Sequence, residues 1–128
     1  MNVDDGHQRL WGLRGAVQVE RNDAESIVAA AEQLMRELMA RNELSPEWMV
    51  SCLFTVTDDL DAEFPAVAAR RVGLDFVPLL CAREVPVPGA MQRVIRVLVH
   101  YYAAADHRPA HTYLGDTHAL RADLDAAQ

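Results

Sequence analysis

Arg96 stands in the run Val94-Ile95-Arg96-Val97-Leu98-Val99, where every neighbour is apolar. A guanidinium is always ionised and is almost never fully buried without a partner. The residue therefore calls for an anion, supplied by the protein or by a ligand. Arg14, in Trp11-Gly12-Leu13-Arg14-Gly15-Ala16-Val17, and Glu84, just after Phe76-Val77-Pro78-Leu79-Leu80-Cys81, stand in comparable settings. Isolated polar groups on apolar strands are where a binding or catalytic site would be built.

Other chemistries lack their sequence signals. There is no glycine-rich phosphate loop between a strand and a helix and no Gly-x-Ser-x-Gly elbow. Of His7, His100, His107, His111 and His118, only His107 and His111 are spaced for one helical face, and Pro109 lies between them. Asp58, Asp59 and Asp61 lack the glycine and terminal glutamate of a calcium loop. No metal and no cofactor is expected. What remains is Arg14, Arg70, Cys81, Glu84, Arg96, Tyr113 and Arg121. Each has an ordinary alternative. Arg70 and Arg121 would be solvated charges, Cys81 an inert buried thiol, Glu84 a counter-ion for Arg96, and Tyr113 an amphipathic edge residue.

The elements that must position these residues follow from periodicity. Leu10 to Glu20 alternates, with Trp11, Leu13, Val17 and Val19 on one face and Gly12, Arg14, Ala16 and Gln18 on the other, which predicts a strand. Asn22 with Glu25 has the spacing of a capping box. A helix follows to about Arg41, with Ile27, Ala31, Leu34, Met35, Leu38 and Met39 as its apolar stripe. Ser45-Pro46 opens a short turn. Val50 to Thr57 predicts a central strand, Phe64-Pro65-Ala66 to Arg71 a small helix stopped at Gly73, and Phe76 to Cys81 a third strand. Val94 to Tyr102 predicts a fourth, with Ile95, Val97, Val99 and Tyr101 on one face and Arg96, Leu98, His100 and Tyr102 on the other. His111 to Leu120 reads as a last strand or a turn pair. The expected class is α+β, a mixed β-sheet in the order β-α-β-α-β-β with both helices on one face. The other face is apolar with no element left to cover it, which points to an oligomer.

Composition bounds the function further. The 128 residues fit one domain, with residues 1–9 a flexible extension and 121–128 a mobile tail. The net charge is −7, and all 12 cationic residues are arginine, which argues against nucleic acid as partner but not against a small anion in one cleft. No apolar run is long enough to span a bilayer and no leader peptide is evident, so a cytoplasmic protein without membrane contact is expected. Cys52 and Cys81 lack the spacing of a disulfide or zinc framework.

The ordered motifs resemble the monofunctional chorismate mutases of the AroH class. Leu13-Arg14-Gly15-Ala16 with Val19-Glu20-Arg21 is similar to that family's first strand. Thr57-Asp58-Asp59-Leu60, then Phe64-Pro65-Ala66 and Arg70, resembles its next segment. Val77-Pro78-Leu79-Leu80-Cys81 with Glu84, then Ile95-Arg96-Val97, resembles its central signature, and Tyr113-Leu114 with Leu120-Arg121-Ala122-Asp123-Leu124 its end.

The resemblance implies a homotrimer with the look of a pseudo-α/β-barrel, active sites between subunits, and conversion of chorismate to prephenate toward phenylalanine and tyrosine. It also implies roles. Arg96 would donate to the ether oxygen and a carboxylate, and Arg14 and Tyr113 would hold the side-chain carboxylate. Glu84 would accept from the ring hydroxyl, with Cys81 beside it as a weak donor. Phe64, Ala66 and Arg70 would come from the neighbouring subunit. Leu79 and Leu80 would line the site, and Leu120 and Arg121 would close it. Val67, Leu80 and Ala122 depart from the family pattern, in which a lysine, a small polar residue and a proline are common. Two other readings on a related fold are a Rid-type imine deaminase and a non-catalytic trimeric ligand-binding protein.

Overall fold

The computed structural model describes residues 7–121. Strand β1 spans Gln8–Gln18, helix α1 Ala24–Arg41, strand β2 Met49–Val56, helix α2 Ala66–Arg71, strand β3 Leu79–Arg83, strand β4 Val94–Ala104 and strand β5 Thr112–Tyr113. Pro46–Trp48 and Gly115–Arg121 form 3-10 turns. The sheet order is β3-β2-β4-β1-β5. Strand β4 runs antiparallel to both β1 and β2, while β3 is parallel to β2 and β5 parallel to β1, so the sheet is mixed.

Three sequence expectations shift. The expected extension over residues 1–9 is cut back, because Gln8 and Arg9 already pair with Ala104 and Ala103. The third strand starts at Leu79 and not at Phe76, whose ring is 97% exposed; the pairing with β2 begins only where Cys52 meets Leu79. The helix cap is Asp23, whose Oδ1 accepts from the Ser26 N–H at 2.7 Å. Asn22 instead accepts from the Asp61 and Ala62 N–H groups, at 3.0 and 3.1 Å, and joins the start of α1 to the loop after β2. The expected tail lies outside the described residues beyond position 121.

The period of the sequence sets the layers. Ile27, Val28, Ala31, Leu34, Met35 and Leu38 are all buried, and they meet Leu13, Val17, Phe54, Val97 and Val99 from the sheet. Met39 is only partly buried at the edge of this core. Burying each large aliphatic side chain contributes roughly 1.5–3 kcal/mol, so this interface is the main source of order. Gly15 makes it close: a Cβ there would lie 3.1 Å from Leu34, Leu38 and the Thr112 carbonyl. At the C-terminal end of α1, Asn42 donates to the Leu38 and Ala110 carbonyls and accepts from the Ala110 N–H.

The opposite face is not wholly bare. Ala16, Val94 and Tyr113 form a second small core with Met91 and Leu120, so strand β5 and the last 3-10 turn cover one corner. Elsewhere on that face Leu10, Leu80 and Tyr102 stay exposed.

Candidate active site

The registers place the singled-out residues. Arg96 pairs with Ala16 on one side and Thr55 on the other, and Arg14 pairs with Leu98. Tyr113 pairs with Ala16. Paired residues share a face, so Arg14, Arg96, Thr55 and Tyr113 all project from the face opposite α1. Glu84 follows β3 directly; its N–H donates to the Val56 carbonyl at 2.8 Å, which brings its carboxylate to the same side.

These groups line a cavity of about 240 Å³ with Gly15, Leu53, Val97 and Leu98. A second hollow of about 250 Å³ shares Glu84 and Arg96 and adds Thr57, Met91, Val94 and Leu120. The Arg96–Glu84 pair is therefore the wall between two small hollows. Arg96 Nε lies 3.5 Å from Glu84 Oε2, with side-chain exposures of 37% and 24%, so the pair is part-sheltered and still open to a ligand. Arg96 Nε is itself buried and makes no hydrogen bond among the described residues. Thr55 Oγ1 donates to the same Glu84 Oε2. The Arg14 guanidinium carbon lies 6.0 Å from the Tyr113 ring centroid, and the Arg14 N–H donates to His111 Nδ1 at 3.1 Å.

Other expected residues fall elsewhere. Cys81 pairs with Phe54, and its thiol packs against the helix-covered core, away from the Arg96 face; Leu79 does the same. On this single chain alternation turns the Cys81 thiol to the helix side, so it does not line the Arg96 cavity. Strand β3 is a sheet edge, and Cys52 N–H donates to Pro78 while Glu84 N–H donates to Val56. That alternation turns the Cys81 N–H and C=O outward, to the open edge. Leu80 pairs with Leu53, and its side chain is 60% exposed. Phe64, Ala66 and Arg70 belong to the α2 layer and do not line the cleft of their own chain; Arg70 Nη1 donates to the Leu74 carbonyl. The side chain of Arg121 lies outside the described residues.

Sequence reasoning missed Thr55 and His111. The first was legible in principle, because alternation along β2 puts it on the Arg96 face once the register is known. The ring of His111 gave no signal, since its partner lies 97 residues away. Larger hollows of about 730 and 610 Å³ run along α1, but their charges form ordinary surface pairs such as Arg36–Glu32 and Arg21–Asp23. Size therefore does not single out a candidate; convergent, part-buried charge does. No group of three metal-ligating side chains occurs among the described residues, and none of their helices is long and apolar enough to cross a membrane.

Comparison with known proteins identifies the family and agrees with the fold. The family model for chorismate mutase type I matches residues 10–124. A chorismate mutase AroH of Thermus thermophilus is 45% identical over 119 residues, covering 91% of this chain and 98% of the relative. A chorismate mutase AroH of Bacillus subtilis is 36% identical over 117 residues, covering 90% and 92%. The solved structure of a chorismate mutase from Clostridium thermocellum superposes with a TM-score of 0.80 at 39% identity, covering 85% of this chain and 98% of that one. These relationships define an isomerase. The chain belongs to the type I chorismate mutase family.

Proposed function

We propose that this protein converts chorismate to prephenate by a concerted rearrangement, and that Arg96 is the transition-state donor. The observation that carries the assignment is the buried Arg96 Nε, left without a hydrogen bond at the wall between two hollows. An unmade hydrogen bond on a charged, part-sheltered group is costly unless a ligand completes it.

In this rearrangement an ether C–O bond breaks while a C–C bond forms. No proton moves and no covalent intermediate forms, so no nucleophile–base pair is required. The site has two tasks. It folds the enolpyruvyl side chain over the ring, which contributes up to roughly 7–11 kcal/mol when reacting atoms are well aligned. It also stabilises the charge that develops on the ether oxygen, worth about 2.7–4 kcal/mol for one well-aimed donor.

Arg14 and Tyr113 hold the side-chain carboxylate. Glu84 accepts from the ring hydroxyl and offsets the positive charge that builds on the ring. Cys81 contributes through the main chain of the open β3 edge, a role supported by its outward N–H. Leu79 and Leu80 shape that edge.

We also read the protein as one domain that works as a cytoplasmic homotrimer with a pseudo-α/β-barrel outline. Phe64 is 67% exposed on its own chain, and it does not line that chain's cleft. A neighbouring subunit that brings Phe64, Ala66 and Arg70 to the cleft resolves both facts. Leu120 and Arg121 close the mouth.

The test is loss of chorismate ultraviolet absorbance on addition of purified protein, with prephenate identified as product. Sedimentation equilibrium at assay concentration should give three chains. A monomer with full activity would defeat the shared-site arrangement, and intact chorismate after prolonged incubation would defeat the reaction.

A further inference from the structure

We infer that Thr55 is a positioning residue for the rearrangement: its hydroxyl holds Glu84 so that Arg96 is not captured by its own counter-ion. The inference rests on the roles proposed above for Glu84 and Arg96.

Three observations carry it. First, Thr55 and Arg96 are direct cross-strand partners, so their side chains leave the same face side by side. Second, Thr55 Oγ1 donates to Glu84 Oε2, and that same oxygen faces Arg96 Nε at 3.5 Å. Third, Arg96 Nε is buried without a hydrogen-bond partner among the described residues, although a carboxylate is close by. A free carboxylate beside a guanidinium would close to a charge-assisted hydrogen bond of about 2.7–2.9 Å. Here the hydroxyl anchors Oε2 where it lies 3.5 Å from Arg96 Nε. The carboxylate is thereby pinned with Oε2 committed and Oε1 left for a ligand hydroxyl. The arginine keeps its unmade bond for the ligand's ether oxygen.

The residue types fit this purpose. Threonine is β-branched and therefore restricted at χ1, which narrows the positions its Oγ1 can take. A longer donor would be free to wander. A valine would fill the same space and leave Glu84 free to collapse onto Arg96, closing the wall between the hollows.

The test is a double-mutant cycle on chorismate turnover in the full chain. Thr55→Val should lower kcat roughly ten- to a hundredfold, the scale of one hydrogen bond to a charged group, with KM changed by less than about threefold. Thr55→Ser keeps the donor and should restore kcat to within about threefold of the wild type. In a Glu84→Gln background, Thr55→Val should have almost no further effect, because the residue acts through that carboxylate. A merely structural role would cost the same in both backgrounds. Circular dichroism checks folding, and Thr55→Ala is read in the same way if the valine variant fails to fold. An unchanged kcat in Thr55→Val, a failed rescue by Thr55→Ser, or an equal loss in both backgrounds would each overturn the inference. If Glu84→Gln alone retained full activity, the role of Glu84 would fall first, and that result is distinguishable from the other three.

Discussion

Arg96 Nε sits 3.5 Å from Glu84 Oε2 without bonding to it, on a wall shared by two hollows. The pair is neither a closed internal ion pair nor two free surface charges. A closed pair would offer a ligand nothing, since its charges would already be satisfied, and a fully solvated pair would be worth little. Held slightly apart and part-sheltered, the two groups can act on the two ends of a small polar molecule.

Substitution of Arg96 is the sharpest test of the mechanism. Arg96→Lys keeps the charge but replaces a planar fork by a point donor on a flexible stem. Turnover of chorismate should fall by orders of magnitude while the circular dichroism spectrum and melting midpoint stay near the wild type. Retention of near-normal kcat would show that the fork is not aimed at the reacting oxygen.

The two cysteines should differ in chemistry and neither should be a nucleophile. Cys52 is fully buried in the core, and burial, with a smaller contribution from Cys81, pushes its thiol up to about 12. A thiol reagent applied to the native protein at pH 8 should leave Cys52 unmodified, and label it only in denaturant, as mass spectrometry of the digest would record. Cys81→Ser should remain substantially active. Complete inactivity of a folded Cys81→Ser variant would call for a different mechanism.

Gly15 should resist any side chain. A methyl group there would press on Leu34, Leu38 and the Thr112 carbonyl, each 3.1 Å from the ideal Cβ. The backbone carbonyl cannot swing aside as a leucine methyl can. Gly15→Ala should cost about 1–3 kcal/mol, read as a lower urea midpoint with an unchanged slope.

Asp59 should matter for stability more than its exposed loop suggests. Its carboxylate accepts from the Arg93 N–H at 3.1 and 3.2 Å and from Thr57 Oγ1 at 2.5 Å. Arg93 has a positive φ of 54°, which a non-glycine residue adopts only when its surroundings hold it. Arg93 Nε also donates to the Val19 carbonyl, and Thr57 Oγ1 accepts from the Val94 N–H, so this knot ties the ends of β1, β2 and β4 two residues before Arg96. Asp59→Ala should lower stability by about 2–3 kcal/mol. Equal melting curves for variant and wild type would show that the knot contributes nothing.

The pH response of the α1 cap has a definite sign. The Ser26 N–H lowers the Asp23 carboxyl below its usual range, helped by Arg21. A lowered native pKa adds stability that is present above the unfolded value and lost as pH falls through the native one. The destabilisation caused by Asp23→Ala should therefore be larger at pH 7 than below pH 3. A cost that did not change across that range would show that ionisation is not what the cap uses.

The sequence by itself determined the layers. Alternation in β1 and β4 and the stripe of α1 assign faces correctly, because burial of one face is what a period-2 or period-3.6 pattern encodes. Arg14 and Arg96 were legible as an outward-facing pair for the same reason. Boundaries were less legible: Asn22 and Asp23 both suit a cap, and only the distant Asp61–Ala62 backbone, which claims Asn22, decides between them. Tertiary structure alone decided the cleft. That Thr55, Glu84 and Arg96 meet, and that Cys81 turns away, follows from the registers of β2 with β3 and β4. A register is set by contacts between residues far apart in the chain, and a shift of one residue would send every one of these side chains to the other face.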